Sequence, residues 1–314
     1  MKIYLAPLHG ITLFPFRNTF FKHFTGIDEI VTPFLPAVPI HRFNARLYRD
    51  ILPEYNLNTP LIPQLLGHDK TALKESCKVL QSIGYSKINW NLGCPSKSVV
   101  KHGRGCGLMP NTTAIMEIIE EVLKLENLEF SLKIRLGLNH PEESERLIEA
   151  IRNYPISEIM IHPRLGVSHY EGVVDLAGFE KLYRRATQIV VYNGDIQTPQ
   201  DIENLQKRFP NLERFMLGRG LLKNPFLAEE IRHGSVSGKP LRFWNFYDEY
   251  QEILLSHFQN RQGVLSHLKE LWRYFYRFFK LNDSALNDFL RSTTLSELEA
   301  QIDRYALKNN FKVL

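Results

Sequence analysis

The sequence contains few cysteines and no long apolar run. Only three cysteines, Cys77, Cys94 and Cys106, occur in 314 residues, and none belongs to a CxxC pair. This excludes a disulfide framework and gives no sign of a zinc site or any other metal centre. No stretch reaches the roughly eighteen apolar residues of a membrane span, and the first residues read as a strand rather than a signal peptide. We therefore expect a cytoplasmic protein with reduced thiols and no membrane association.

The excess of positive charge is small. Lysine and arginine number 39 against 34 acidic residues, which gives a net charge of +5 and a pI near 9.0. A hydrophobic content of 44% and the lack of low-complexity tracts are typical of a folded globular protein. The basic balance favours a polyanionic partner without identifying one.

Short apolar runs recur along the first two thirds of the chain, with helix-like segments between them. Eight are recognised, at Ile3–Leu5, Glu29–Val31, Leu61–Leu65, Lys87–Trp90, Phe130–Ile134, Glu158–Ile161, Ile189–Tyr192 and Arg214–Leu217. Continuous apolar runs joined by helices predict a parallel α/β sheet. Eight repeats favour a closed (β/α)₈ TIM barrel, although a doubly wound open sheet could also hold eight strands.

The strand pattern stops after about Gly238, and the remaining chain has helical periodicity. Four helices are predicted, over Phe243–Phe258, Leu265–Phe279, Ser284–Arg291 and Ser296–Leu307. We therefore predict a catalytic TIM barrel over residues 1–238 and a C-terminal all-helical domain over residues 239–314.

Polar residues or glycines end most of the apolar runs, and barrel active sites lie at the C-terminal ends of strands. Gly194 and the pair Gly218-Arg219 follow the seventh and eighth runs, where barrels often bind a phosphate. Glycines that only open tight turns are the alternative. Lys133 suits the anionic edge of a reduced flavin, with Gln64 and Asn91 as further partners of the ring; an ion pair between Lys133 and a carboxylate such as Asp195 is the alternative. Phosphate and ring edge together suggest FMN.

A thiol follows the fourth run directly, in Asn91-Leu92-Gly93-Cys94-Pro95. A thiol of ordinary pKa is protonated at neutral pH, so Cys94 is predicted to act as a general acid, with a buried inert cysteine as the alternative. Cys77 instead shares a helical face with Leu73 and Leu80, and we expect it in the core.

Several motifs resemble one enzyme family. The segment Asn91–Val99 and the glycine-rich segment Gly103–Met109 are similar to the signature of bacterial, FMN-dependent tRNA-dihydrouridine synthases. The similarity extends to Ala6-Pro7, Gln64–Gly67, Lys133–Arg135, His162–Arg164, Tyr170–Gly172, Asn193–Ile196 and Gly218–Gly220. Departures occur at Leu8-His9, at Cys106-Gly107 and at Pro163 and Leu165, where the family usually has other residues.

This resemblance implies the reduction of a uridine in tRNA. NADPH would reduce FMN, hydride would pass to uracil C6, and Cys94 would protonate C5 of the flipped-out base. The residues expected at the cofactor are Pro7, Gln64, Lys133, His162, Asn193, Gly194, Asp195, Gly218 and Arg219. Those expected at the tRNA are Asn91, Arg164, Lys97, Arg104, Lys269, Arg273 and Arg277, the last three forming a basic stripe on the second C-terminal helix. A solvated charged face is the alternative for the stripe.

A monomer without a protein partner is expected to bind one tRNA. Two other functions compete: a small-molecule flavin barrel of the dihydroorotate dehydrogenase type, and a catalytically silent RNA-binding protein. The first gives no reason for the basic helical tail, and the second gives none for the combination of Cys94, Lys133 and His162.

Overall fold

The computed structural model describes residues 1–44, 48–56, 59–258 and 260–305. Its paired strands run parallel. In chain order they are β1 Lys2–Leu5, β2 Glu29–Val31, β3 Leu35–Pro36, β4 Leu61–Ile62, β5 Gln64–Leu66, β6 Lys87–Leu92, β7 Glu129–Arg135, β8 Glu158–His162, β9 Ile189–Tyr192 and β10 Arg214–Leu217. All eight predicted strands are present.

The sheet closes on itself through the segment that contains β4 and β5. Pro63 alone separates these two strands, and its nitrogen has no hydrogen to donate to a ladder. Along the sheet the order is β3-β5-β6-β7-β8-β9-β10-β1-β2-β4, so β4 pairs with β2 while β5 pairs with β6. Residues 61–66 therefore join the two sides of the sheet. This confirms the predicted eight-stranded barrel rather than the doubly wound open sheet.

Helices cover the barrel strands. In this part of the chain they span Lys70–Ser82, Lys97–Lys101, Thr112–Val122, Glu142–Ala150 and Leu176–Arg185. The first begins after Asp69, whose Oδ1 accepts a hydrogen bond from the Ala72 backbone N–H at 2.7 Å. Its inner face buries Leu73, Cys77 and Leu80 completely. The prediction that Cys77 belongs to the core is confirmed, and burial raises the pKa of its thiol to about 12.

The contacts divide the chain into two compact units. The barrel unit contains residues 1–7, 28–194 and 209–216, and the helical unit contains residues 8–27, 195–208 and 217–314. Residues 259 and 306–314 of the helical unit lie outside the described residues. The helices of this unit span Phe14–His23, Pro199–Arg208, Arg219–Lys223, Leu227–His233, Lys239–His257, Arg261–Phe278, Asp283–Arg291 and Leu295–Arg304. None of the helices among the described residues combines the length and the hydropathy of a membrane span.

Aromatic packing explains why early segments join the C-terminal helices. The rings of Phe16, Phe20 and Phe24 lie 5.9, 6.0 and 5.1 Å from the ring of Phe246, between centroids. All four side chains are buried. Aromatic pairs at these separations add to the free energy that burial alone provides. The helix Phe14–His23 thus shares a core with residues 239–304, which the chain order alone does not reveal.

Candidate active site

The candidate site is the layer of side chains directly above the apolar interior of the barrel. The interior layer contains Tyr4, Ala6, Val31, Ile62, Met160, Val191 and Met216. Residues two apart on a strand point to the same face, so the next inward side chains are polar where these strands end. They include Gln64 after Ile62, His162 after Met160 and Asn193 after Val191. Neighbouring strands add Asn91 and Lys133, which are paired in register.

A chain of side-chain hydrogen bonds crosses this layer. Asn91 Nδ2 donates to Gln64 Oε1 at 2.7 Å, and Gln64 Nε2 donates to Asn89 Oδ1 at 2.7 Å. Asn89 Nδ2 then donates to Ser131 Oγ at 2.9 Å, and that hydroxyl donates to the Ile88 carbonyl at 3.3 Å. All of these donors are buried, so each bond stabilises the fold chiefly by avoiding an unsatisfied polar atom. The orientation of every amide in the chain is therefore fixed.

The carbonyl end of Asn91 holds the loop that carries Cys94. Its Oδ1 accepts hydrogen bonds from the backbone N–H groups of Gly93 and Cys94, at 3.0 and 2.9 Å. A Cβ on Gly93 would lie 3.3 Å from the Ile134 carbonyl carbon, so the loop also runs tightly along the next strand. Asn91 thus anchors the segment between Gly93 and Pro95 that carries Cys94.

Cys94 is half-buried and keeps its proton. Burial raises the pKa of its thiol, while a hydrogen bond from the Ser96 backbone and the charges of Arg135 and Lys133 oppose that shift. A thiol with a raised pKa is a proton donor at neutral pH and a poor nucleophile. These properties fit the predicted general acid better than an inert core cysteine.

The glycine-rich segment Gly103–Met109 contacts the backbone of Cys94. The Cys106 backbone N–H donates to the Cys94 carbonyl at 3.0 Å, and the Cys106 side chain is completely buried. A Cβ on Gly107 would lie 2.7 Å from the Val100 carbonyl oxygen, so only glycine fits there without a shift. The unusual pair Cys106-Gly107 is thus a packing feature of this loop.

Lys133 lies at the rim, in register with Asn91. Within the described residues of the barrel unit, no carboxylate pairs with the Lys133 ammonium. Asp195, named for the alternative ion pair, belongs to the helical unit and pairs there with Arg219 at 3.1 Å. Burial, and next the charge of Arg135, lower the pKa of Lys133 to about 8. A half-buried cation of this kind is stabilised by an anionic or electron-rich ligand.

Arg135 is a site residue to which the sequence analysis assigned no role. It is almost completely buried, and its guanidinium donates to the Gly93 carbonyl at 3.0 Å and to the Leu165 carbonyl at 3.1 Å. It also donates to the His169 carbonyl and lies over the Tyr170 ring, 5.0 Å from the centroid. Arg135 therefore ties the Cys94 loop to residues 165–170. The sequence did contain a signal for this role: Arg135 lies two residues after Lys133 and therefore on the same face of β7.

Replacing Arg135 with leucine is expected to lower the free energy of unfolding by at least about 2 kcal/mol, because buried carbonyls would lose their donor. Urea denaturation measures the effect. Arg152→Leu is the matched control, since the exposed Arg152 pairs only loosely with Glu149 at 3.8 Å. If both variants unfolded at the same urea concentration, this role of Arg135 would be contradicted.

His162 and Arg164 form a second polar group at the rim. Arg164 Nη1 lies 3.2 Å from His162 Nε2, and a guanidinium has only donors, so this imidazole nitrogen accepts. Arg164 Nη2 donates to the Gly172 carbonyl at 2.7 Å. These two hydrogen bonds hold Arg164 next to His162. The Arg164 side chain is buried, with an exposed fraction of only 4%.

Asn193 and Gly194 follow β9 in a tightly packed turn. Asn193 Nδ2 donates to the Met216 carbonyl at 2.9 Å. A Cβ on Gly194 would lie 2.9 Å from Val174 Cγ1 and 3.2 Å from Pro163 Cδ. Pro163, one of the departures from the usual family pattern, therefore fills the space beside Gly194. Pro7, at the end of the first strand segment, is half-buried.

In the helical unit, Arg219 is paired with Asp195. The two side chains meet at 3.1 Å, and Gly218 stands directly before the helix that begins at Arg219. A Cβ on Gly220 would lie 2.1 Å from the Ile196 carbonyl oxygen, so this close approach requires glycine. The two short segments that follow β9 and β10 are therefore held against each other.

The basic residues predicted to contact tRNA differ in how they are engaged. Lys97 is exposed, and Arg104 Nε donates to His68 Nδ1 at 3.3 Å. In the helical unit, Lys269 donates to the Ser292 carbonyl at 2.8 Å. Arg273 pairs with Glu270 at 3.0 Å, and Arg277 lies 3.6 Å from Asp283. Lys97, Arg273 and Arg277 keep the most exposed charges.

The fold is similar to that of solved enzyme structures at low sequence identity. Morphinone reductase in complex with tetrahydroNAD aligns with a TM-score of 0.54 and 8% identity, over 75% of this chain and 87% of that one. Histamine dehydrogenase from Rhizobium sp. 4-9 aligns with a TM-score of 0.55 and 13% identity, over 79% of this chain and 49% of that one. These similarities support the class of fold, the TIM-barrel architecture found in oxidoreductases.

Sequence comparison identifies the family. A tRNA-dihydrouridine(16) synthase from Aquipseudomonas alcaligenes is 27% identical over 85% of each chain. The tRNA-dihydrouridine synthase B of Pseudomonas aeruginosa is 25% identical over 82% of this chain and 76% of its own. The family model for Dihydrouridine synthase (Dus) matches residues 4–311. The chain belongs to the dihydrouridine synthase family, and the predictions that it resembles this family and is an oxidoreductase are confirmed.

Proposed function

We propose that this protein reduces the C5–C6 double bond of a uridine in tRNA, with FMN as bound cofactor, NADPH as reductant and Cys94 as proton donor. The observation that carries the proposal is the arrangement of the rim. A protonated, half-buried thiol is held by Asn91 and lies in the field of Lys133, a cation without a carboxylate partner in the barrel unit. A cation and an acid at the end of a barrel suit the reduction of a polarised double bond.

The residues of the rim fit FMN. Lys133 would bind the pyrimidine edge of its ring, where reduction creates negative charge. His162, Gln64 and Asn193 would border the ring with Pro7. The backbone of Gly194 and Gly218, with Asp195 and Arg219 beside them, would hold the phosphate. When bound, FMN would supply the hydride that NADPH delivers to it.

Cys94 would give its proton to C5 of the uracil. The raised pKa of the thiol keeps that proton in place until the carbon becomes basic. Asn91 orients the loop through the Cys94 backbone N–H, and Asn91 and Arg164 would also contact the uridine. A base has to leave the stack of the RNA before it can reach this rim.

The tRNA would be bound mainly through its phosphates. Lys97 and Arg104 lie on the segment that follows Cys94, and Lys269, Arg273 and Arg277 lie on the helix Arg261–Phe278. Cations on such surfaces bind the RNA backbone without reading its sequence. We propose that a cytoplasmic monomer binds one tRNA in this way.

The test uses purified protein and unmodified bulk tRNA. We expect a yellow protein with a flavin spectrum, bleaching on addition of NADPH, and reoxidation by tRNA with formation of dihydrouridine. A colourless protein that cannot be reconstituted with FMN would refute the proposal. Reoxidation by orotate and not by tRNA would instead favour the dihydroorotate dehydrogenase type.

A further inference from the structure

A cavity in the helical unit lies outside the residues assigned to the flavin and is lined by three basic side chains. Its volume is about 510 Å³, and Lys223, Lys239 and Arg277 contribute to its wall with Glu230, Asn224 and Gln197. Neither Gly218 nor Arg219 belongs to the lining. A volume of this size is in the range of small-molecule sites.

The single acidic residue of the wall is already neutralised. Glu230 forms an ion pair with Lys239, and its other carboxylate oxygen accepts from Asn224 Nδ2 at 2.7 Å. This pair leaves the positive charges of Lys223 and Arg277 to determine the electrostatic character of the cavity.

Lys223 has no acidic partner in the described part of the helical unit. Its ammonium donates to the neutral Gln197 Oε1 at 2.8 Å. Burial, followed by the charges of Arg219 and Arg277, lowers the pKa of Lys223, and Asp195 only partly opposes them. Because Asp195 is itself bound to Arg219 at 3.1 Å, it leaves Lys223 with uncompensated charge.

Arg277 is only weakly neutralised. Its guanidinium lies 3.6 Å from Asp283, a carboxylate whose side chain is 76% exposed. Asp283 also accepts a hydrogen bond from the Tyr276 hydroxyl at 3.1 Å. Exposed pairs at this separation contribute little free energy, so Arg277 remains able to bind another anion.

We propose that this cavity is a phosphate-binding site, distinct from the one that would hold the cofactor. A phosphate would accept from Lys223 and Arg277, with the Lys239–Glu230 pair behind them and the amide of Asn224 at the wall. Two cations held close together in a half-buried cavity repel each other. An anion with several acceptor oxygens, such as phosphate, stabilises both of them better than water does. The phosphate belongs either to the RNA backbone or to the pyridine nucleotide, and in both cases the site rests on the proposed function.

The first test is calorimetric titration of the flavin-loaded protein with inorganic phosphate, in a chloride buffer of constant ionic strength. We expect Lys223→Gln and Arg277→Gln each to weaken phosphate binding by about tenfold or more, as for loss of a charge-assisted hydrogen bond. Lys207→Gln is the matched control, since Lys207 is an exposed lysine on the helix Pro199–Arg208 and does not line the cavity. No binding by the unaltered protein, or equal weakening in all three variants, would overturn the proposal.

A second measurement needs no substitution and no catalytic activity. The Lys223 amine is modified with an amine-reactive reagent and quantified by mass spectrometry, with and without inorganic phosphate. Protection by phosphate, and then by tRNA or by NADPH, supports the site and identifies the source of its phosphate. A Lys223 that no phosphate compound protects refutes it, whether or not the protein reduces uridine.

Discussion

Replacing Cys94 with alanine is expected to lower dihydrouridine formation by at least about a hundredfold, as for the loss of a general acid. The flavin should stay bound and NADPH should still reduce it, because neither step needs a proton from this thiol. Single-turnover assays with tRNA, run beside flavin reduction, separate the two half-reactions. Equal losses in both half-reactions would show that the substitution disturbs the cofactor rather than the proton transfer.

Cys77→Ala is the control for the loss of a thiol. Cys77 is completely buried on the helix Lys70–Ser82 and its thiol has a pKa raised to about 12, so it takes no part in proton transfer. This variant should turn over tRNA at nearly the normal rate. A hundredfold loss here would attribute the effect to packing.

The rate of dihydrouridine formation should also depend on pH in a way that identifies Cys94. A general acid works in its protonated form, and burial raises the pKa of Cys94 above its ordinary value. The rate of dihydrouridine formation should therefore stay constant with respect to this group through neutral pH and fall as pH rises past that raised pKa. Cys94→Ala should lack this alkaline decline, and a decline of the same shape in the variant would assign it to another group.

Lys133→Met is expected to weaken FMN binding and to slow its reduction, each by roughly 10- to 100-fold. The basis is the loss of one charge-assisted hydrogen bond of about 1.5–3 kcal/mol to the edge of the ring that becomes anionic. Flavin titration followed by fluorescence gives the affinity, and stopped-flow bleaching by NADPH gives the rate.

Lys87→Met is the matched control for that loss of charge. Lys87 lies on β6, and its ammonium pairs with Glu29 at 2.7 Å. Lys2 pairs with the same carboxylate, also at 2.7 Å. Glu29 would therefore keep one cation, and flavin binding should not change. If both lysine variants lost flavin equally, the effect would be one of net charge rather than of position.

The barrel strands were predictable because a buried parallel strand leaves a strong signal in the sequence. Glu29–Val31, Ile189–Tyr192 and Arg214–Leu217 were predicted with the bounds that the structure shows. Such strands bury both faces, so their apolar runs are continuous and end where the chain turns. The helix Pro199–Arg208 also begins with a local contact, since Asp201 accepts from the Thr198 backbone N–H at 2.9 Å.

The division into compact units was not predictable in the same way. A boundary at residue 238 follows from the change in periodicity, but the packing of Phe16, Phe20 and Phe24 against Phe246 depends on contacts between residues more than 200 positions apart. Periodicity reports the faces of a helix and not the partner of each face. The short strand Leu35–Pro36 was missed because two residues carry no pattern.

The positions of the rim residues were predictable, but their hydrogen bonds were not. The ends of strands directed attention to Gln64, Asn91 and Lys133, whereas the pairing of Gln64 with Asn89 depends on strand register. The carbonyls around Arg135 belong to segments that follow strands, and no local pattern predicts how those segments fold. The roles of the individual rim residues in binding cofactor and uridine therefore stay predictions until the variants are measured.

The chain of amides beneath the rim has a consequence for how this barrel can change by mutation. Gln64, Asn89 and Asn91 each donate to the next buried acceptor. Replacing any one of them leaves a donor on one side and an acceptor on the other without a partner, which costs more than the bond itself contributed. Single substitutions are thus selected against, and these three positions are expected to be inherited together.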